Sequence, residues 1–319
     1  MLRFLGTRVL HGAALLVAVS LLTFGLAALA PGSFTDEMRL DPRVSPETVA
    51  AMRARYGLDR AFPIRYAAWL QSACRGDLGF SLAYNADVAT LLVPRIGNTL
   101  VLTLAATLAA WALALPLGVW AAAYRDTTLE RACSAVAAAL AGVPDLLLAL
   151  GALVFAASTG LFPVGGMRSA DGGGAWPALD LLRHLVLPAA TLAVTIAPPV
   201  FRHVRGAMLD ASRATGVVAA RARGVPEAGL LLRHSLKLAA NPIVTLAGLS
   251  LASLLSASLV VEVILAWPGL GPLLLDGVLS RDVPLVAGAT TVAAALLVAA
   301  NLAADVALFA VDPRIRVTE

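Results

Sequence analysis

Few side chains in this sequence have both the type and the spacing that chemistry requires. His11, His184, His203 and His234 lie far apart and form no H-E-x-x-H or comparable ligand spacing, so no metal centre is implied. No G-x-x-x-x-G-K-S/T loop is present, and the sole lysine is Lys237, so nothing cradles nucleotide phosphates. A G-x-S-x-G nucleophile elbow is also missing. What stands out is a basic, polar island from Arg202 to Lys237, RHVRGAMLDASRATGVVAARARGVPEAGLLLRHSLK, set between long apolar stretches. Its chemistry is recognition of another molecule. Any work the protein performs must draw its energy from elsewhere.

Within the island, Val217-Val218-Ala219-Ala220 forms a small, smooth helical face, followed by Arg221-Ala222-Arg223-Gly224. Gly224 adopts a positive φ without a Cβ clash and so ends that helix. Pro226 suits the first position of a second helix, and Glu227 complements that helix's positive N-terminal dipole. Asn241-Pro242 then marks entry into the next apolar segment. The expectation is a helix, a tight turn at Gly224 and a second helix parallel to a membrane surface. The plainer alternative is an interfacial amphipathic linker with Leu230 to Leu232 in lipid.

The elements that position this island are membrane helices. The 319-residue chain is 59% hydrophobic and 14% charged, against roughly 25% charged in a soluble domain. Uncharged or nearly uncharged stretches predict six spans, at 9–30, 97–124, 132–159, 184–202, 241–263 and 284–306. Each reaches or approaches the roughly 20 residues needed to cross the hydrocarbon. The fold class is therefore all-α, a polytopic bundle of six transmembrane helices. Three regions are expected: a tail and first span (1–30), an extracytoplasmic segment with short helices (31–95), and a transmembrane core (96–319) with a cytoplasmic loop near 203–240. Ala28-Leu29-Ala30 resembles a cleavage site, but the apolar run is long for a signal peptide and Pro31 follows it, so the first span is expected to stay uncleaved.

Arginines decide the orientation. Arg3, Arg8, Arg125, Arg131, Arg202, Arg205, Arg213, Arg221, Arg223, Arg233, Arg314 and Arg316, with Lys237, fall on one side, which places both termini in the cytoplasm. The same dispersal along membrane flanks explains the net charge of +4 as topology and attraction to anionic lipid, not nucleic-acid binding. Cys74 and Cys133 fall on opposite sides, so no disulfide is expected. In the outer segment, Ser45 reads as an N-cap with Pro46 at N1 and Gly57 as the stop. A second helix over Ile64 to Ala73 carries Tyr66, Trp69 and Leu70 on one face.

Small residues are abundant in the spans, which lets helix backbones approach closely. Pro116, Pro144, Pro188, Pro198 and Pro199 are expected to interrupt the helices. Asp145 is read as a cap at the Pro144 break or a partner for another polar group, or else as a contact for a cation or ammonium group along a path.

The Ala219-Ala220 pair, Gly224 and Pro242 match the coupling-loop pattern of ABC importer permeases, and RARGVPEAGLLLRHSLKLAANPIVT resembles the dipeptide, oligopeptide and nickel permease family. The resemblance runs through Ala30-Pro31-Gly32, Tyr56-Gly57-Leu58-Asp59, Gly76-Asp77-Leu78-Gly79, Asn98-Thr99-Leu100 and Leu187-Pro188-Ala189. It continues at Glu262, Trp267-Pro268-Gly269-Leu270-Gly271, Arg281-Asp282, Asn301, Asp305 and Asp312-Pro313-Arg314-Ile315-Arg316. Two positions depart from it: Val218 stands where the general pattern has an acid, and Asp145 follows Pro144 where a small or apolar residue is expected.

That resemblance implies a type I-like importer permease of the bacterial inner membrane, non-catalytic itself. Its expected partners are a paralogous permease, two ATPase subunits and an extracytoplasmic substrate-binding protein. No cofactor is expected on this chain, with ATP and Mg used by the ATPase subunits. Ala219, Ala220, Arg221, Arg223, Gly224, Pro226 and Glu227 would form the coupling loop, and Glu262 joins Asp145 as a candidate for the translocation path. Peptides, nickel and nickel chelates are all cargoes of such relatives. The alternative class is an ion-gradient-driven secondary transporter, for which inverted repeats and paired intramembrane charges would be the sign. A membrane-embedded enzyme lacks any catalytic constellation.

Overall fold

A computed structural model describes residues 2–29, 45–55, 59–169 and 176–311 of the chain. Eleven helices and one small hairpin are defined among them: α1 (Leu2–Leu29), α2 (Pro46–Arg55), α3 (Phe62–Ala73), β1 (Phe80–Ser81), β2 (Ala86–Asp87), α4 (Val88–Ala123), α5 (Thr128–Ala141), α6 (Asp145–Thr159), α7 (Pro177–Ser212), α8 (Thr215–Ala222), α9 (Glu227–Ile264), α10 (Leu270–Leu279) and α11 (Val283–Val311). Five helices are long and apolar enough to cross a membrane, namely α1 from Gly6, α4, α7, α9 and α11 up to Leu308. A sixth crossing arises if α5 and α6 count as one broken span.

The expected span 132–159 is therefore not one straight helix. α5 and α6 are bent by 99° at Gly142-Val143-Pro144. Pro144 lacks the N–H that would continue the helix, and the residue before a proline avoids the helical region. Asp145 thus opens α6 as its first residue, where its charge complements the helix dipole, instead of sitting mid-helix. Pro188, Pro198 and Pro199 lie inside an uninterrupted α7, Pro116 inside α4 and Pro242 inside α9, so among these prolines only Pro144 breaks its helix.

Two compact units divide the chain. One comprises 99–267 and 297–319; the other comprises 2–98 and 268–296. Residues 59–95 thus share a unit with the first helix and with 268–296.

In the first unit α7 is the central element. The span predicted at 184–202 is the shortest in the sequence, yet the helix is 36 residues long and most of its apolar stretch is buried. Leu192, Ile196, Val200, Val204 and Met208 recur every four residues and form a buried row facing neighbouring helices. Close approach to α4 depends on Gly118, where a Cβ would lie 2.8 Å from Val204 Cγ1 and 3.0 Å from the Phe201 carbonyl. Trp111 Nε1 donates to Ser250 Oγ at 2.8 Å, tying α4 to α9.

The second unit has an aromatic core of Phe24, Phe62, Tyr66 and Trp69, with Ala287 packed against it. Ser45 caps α2 by accepting from the Thr48 N–H at 3.2 Å, and Tyr66, Trp69 and Leu70 face the core as expected. Asp282, 2% exposed, accepts from Ser81 Oγ (2.8 Å), Ala83 N (3.0 Å) and Leu285 N (3.1 Å), which fixes the hairpin to the start of α11. The motif residues Gly76, Gly79 and Arg281 take positive φ angles of 86°, 93° and 54° at the turns of this unit. The matches at Ala30-Pro31-Gly32, Tyr56-Gly57-Leu58 and 312–316, and Gly57 as a helix stop, lie outside the described residues.

Candidate functional site

The island between Arg202 and Lys237 folds as the last turns of α7, the short helix α8, a turn at Gly224 and the first turns of α9. Gly224 has φ +80°. Its N–H donates to the Arg221 carbonyl at 3.0 Å, and the Val225 N–H reaches back to the Ala220 carbonyl at 3.3 Å. This pair of bonds is the Schellman ending, which satisfies the orphan carbonyls of α8 and requires a left-handed residue at that point. A small apolar cluster locks the turn: Val217, Ala220 and Leu230 are 1% exposed, with Ala214 and Val225 packed on them. Leu230 is thus internal to the island, not placed in lipid.

Across the turn, Arg221 holds Glu227 with Nε to Oε1 at 2.8 Å and Nη2 to Oε2 at 3.2 Å. Both side chains are exposed, and the carboxylate raises the Arg221 guanidinium above its ordinary pKa by hydrogen bonding first and charge second. Pro226 is the residue preceding the helix, with Glu227 as its first residue, one position removed from the expected register. The second helix does not end before the membrane. It runs on as α9 through Asn241-Pro242, after a π-helical stretch over Leu230–Ser235 in which His234 Nδ1 lies 3.3 Å from the Gly229 carbonyl.

What α8 turns outward is a run of small residues bordered by the exposed Arg221 and Arg223. Val218, Ala219, Ala222, Arg223 and Gly224 are exposed, and a Cβ at Gly224 would meet nothing within 4 Å. Beside it runs an open groove lined by Arg202, His203, Asp210, Ala214, Leu238 and Pro242.

Sequence reasoning missed the polar cluster that braces this region. Thr127 caps α5 by accepting from the Glu130 N–H at 3.2 Å. The Glu130 carboxylate, 3% exposed, accepts from Ser134 Oγ at 2.7 Å and pairs with Arg205 Nε of α7 at 2.9 Å. The T-x-x-E spacing at Thr127–Glu130 signals the cap, but nothing local points to Arg205. Glu262 is fully buried near the end of α9, with its carbonyl accepting from the Trp267 N–H at 2.8 Å. Asp145 and Glu262 are not brought together with the Gly224 turn into one constellation. Among the described residues, no group of three or more His, Cys, Asp or Glu is placed to hold a metal ion. Cys74 and Cys133 are free thiols.

Comparison with known proteins covers almost the whole chain. Residues 114–317 match the family described as binding-protein-dependent transport system inner membrane component, and residues 1–103 match the N-terminal part of such membrane components. A chain of Brucella suis biovar 1 (strain 1330) that bears a peptide-permease name is 37% identical over 322 residues, covering 100% of both. The oligopeptide transport system permease protein AppB of Bacillus subtilis (strain 168) is 32% identical over 312 residues, with 97% of each chain covered. The dipeptide transport system permease protein DppB of Escherichia coli (strain K12) is 30% identical over 322 residues, with 94% of each covered. Among solved structures, an inward-facing form of the MetNI methionine ABC transporter matches with a TM-score of 0.54 at 22% identity, over 70% of this chain and 96% of that one, a likeness of fold.

Proposed function

The chain belongs to the family of binding-protein-dependent transport system inner membrane components, and on that premise we propose that it forms half of the translocation path for peptides or a related small substrate. Nickel or a nickel chelate is the other cargo of that class. The reading rests above all on α8 and the Gly224 turn: a rigidly capped helix offering a small-residue face, built to seat in the cleft of a soluble partner. That partner is an ATPase subunit, with two such subunits per complex, where ATP and Mg are bound and hydrolysed. The chain itself carries no catalytic role. A paralogous permease completes the path, and a substrate-binding protein delivers cargo on the outer side. Reconstituted with all partners, the complex is expected to accumulate peptide only with ATP, and omission of the ATPase subunits to abolish uptake. Uptake that persists on an ion gradient alone would refute this assignment.

Both termini and α8 lie on the cytoplasmic side of the bacterial inner membrane in this proposal, supported by the arginines and Lys237 around the island. Single-cysteine labelling tests it. In a background with Cys74 and Cys133 replaced by serine, Ala222→Cys should resist an impermeant reagent in intact cells, and Tyr84→Cys should react. The reverse pattern would reject the orientation.

A further inference from the structure

Between the Gly224 turn and the membrane part of α9 lies a short stretch with one residue too many for an α-helix. Over Leu230–Ser235 the helix is π-helical, and the Leu236 N–H donates to the Leu231 carbonyl, five residues back. His234 Nδ1, 3.3 Å from the Gly229 carbonyl, reaches back across the same stretch. Such wide turns are rare, occur mostly singly within α-helices, and are frequent at functional sites.

Burial shows what the extra residue does. Leu230 and Ser235 are each 1% exposed, and Leu231 and Leu236 both pack on the core of the first unit. The members of each pair are five residues apart. In an α-helix, turning roughly 100° per residue, such partners lie about 140° apart, and one member of each pair would leave its contacts. The π turn brings them to a shared side. Its crest is exposed, with Leu232 and Arg233 facing outward.

This stretch divides two bodies. Before it, the Schellman bonds, the cluster of Val217, Ala220 and Leu230, and the Arg221–Glu227 pair join α8 and the first turn of α9 into one block. After it, α9 is set among the spans, with Ala239 buried and Ile243 and Leu246 packed on the same core. The π-helical residues touch both α7 and α8. At their end the Leu236 N–H can exchange the Leu231 carbonyl for that of Leu232, four residues back, without losing a hydrogen bond. Sharp bends in helices collect at such turns. Pro242 lies further along, inside a helix that continues through it, and so does not supply the joint.

We infer that Leu230–Ser235 is the hinge on which α8 and its turn swivel against the membrane part of α9. This role rests on the reading of α8 as the face presented to the ATPase subunit. It adds the joint through which a nucleotide-driven movement of that subunit reaches the spans.

Spin-label distances in the complete reconstituted complex test the hinge, with Cys74 and Cys133 replaced by serine. A pair at Ala228→Cys and Leu249→Cys, exposed positions on either side of the stretch, should change its distance between the nucleotide-free and the ATP–vanadate states. A pair at Leu238→Cys and Leu249→Cys, both beyond the stretch, should not. Deleting Leu232 returns both buried pairs to a four-residue, α-helical spacing. That chain should insert and retain the ATPase subunit, while the change across the stretch disappears. Leu232→Ala keeps the residue count and should behave as the wild type, which separates chain length from loss of a side chain. Equal changes in the wild type and the deletion variant would overturn the hinge, as would an equally large change for the Leu238–Leu249 pair. If the deletion variant fails to assemble, the two wild-type pairs decide alone, and a constant Ala228–Leu249 distance overturns the hinge. Normal ATPase binding and response by Gly224→Trp would remove the coupling site itself, whereas a constant distance with the ATPase bound removes only the hinge.

Discussion

Gly224→Trp is expected to leave the protein inserted at its normal level and to abolish ATP-driven uptake. Two effects act together. The φ of +80° at Gly224 lies in the left-handed region, where a side chain costs roughly 1–2 kcal/mol. That strain alone is survivable, because the Schellman bonds to Ala220 and Arg221 and the cluster of Val217, Ala220 and Leu230 hold the turn from within. The larger effect is external. A Cβ at Gly224 would meet nothing within 4 Å, so an indole there has room to project from the face that α8 offers to a partner. Association with the ATPase subunit should weaken, or hydrolysis should stop responding to loaded binding protein. Arg221→Ala removes only an exposed ion pair with Glu227, which is screened by solvent, so its uptake should stay well above that of Gly224→Trp. Normal uptake by the tryptophan variant at normal expression would defeat the coupling role of this turn.

The turn was legible in the sequence for a physical reason. Gly224, Pro226 and Glu227 are each restricted by backbone geometry or dipole, and such restrictions act over three or four residues. Spans were legible for the same reason, since uncharged length is a local property. Tertiary contacts were not. Pro144 and Pro188 look alike in sequence, yet one breaks a span by 99° and the other lies inside a continuous helix. The difference is set by what packs around each, and Pro188 is buried in the wall of α7. The length of α7 was hidden because Arg183 and Arg202 suggest membrane boundaries, while the buried row from Leu192 to Met208 runs past Arg202. Glu262 gave no local sign that it would be enclosed. Likewise the outer segment could be read as two helices, but its sharing a unit with 268–296 depends on the remote contact of Ser81 with Asp282.

Glu130 and Arg205 illustrate how such a remote contact is weighed. The Glu130 carboxylate is 3% exposed, whereas the Arg205 side chain is 31% exposed. Removing the arginine therefore strands a buried anion with Ser134 as its remaining hydrogen-bond donor. Removing the anion instead leaves a cation that water reaches in part, although its Nε is buried. Breaking a fully buried pair costs about 3–5 kcal/mol. Solvent screening of the guanidinium reduces the expectation for Arg205→Ala to about 2–3 kcal/mol. Glu130→Gln keeps the backbone cap to Thr127 and should cost about 1 kcal/mol, in the range of one net hydrogen bond. The double variant should be more stable than Arg205→Ala alone, because no charge is then left stranded. Unfolding in mixed micelles measures all three. A loss for Arg205→Ala no greater than that for Glu130→Gln would mean that water or lipid headgroups already satisfy the carboxylate, and that the pair does not brace α5 against α7.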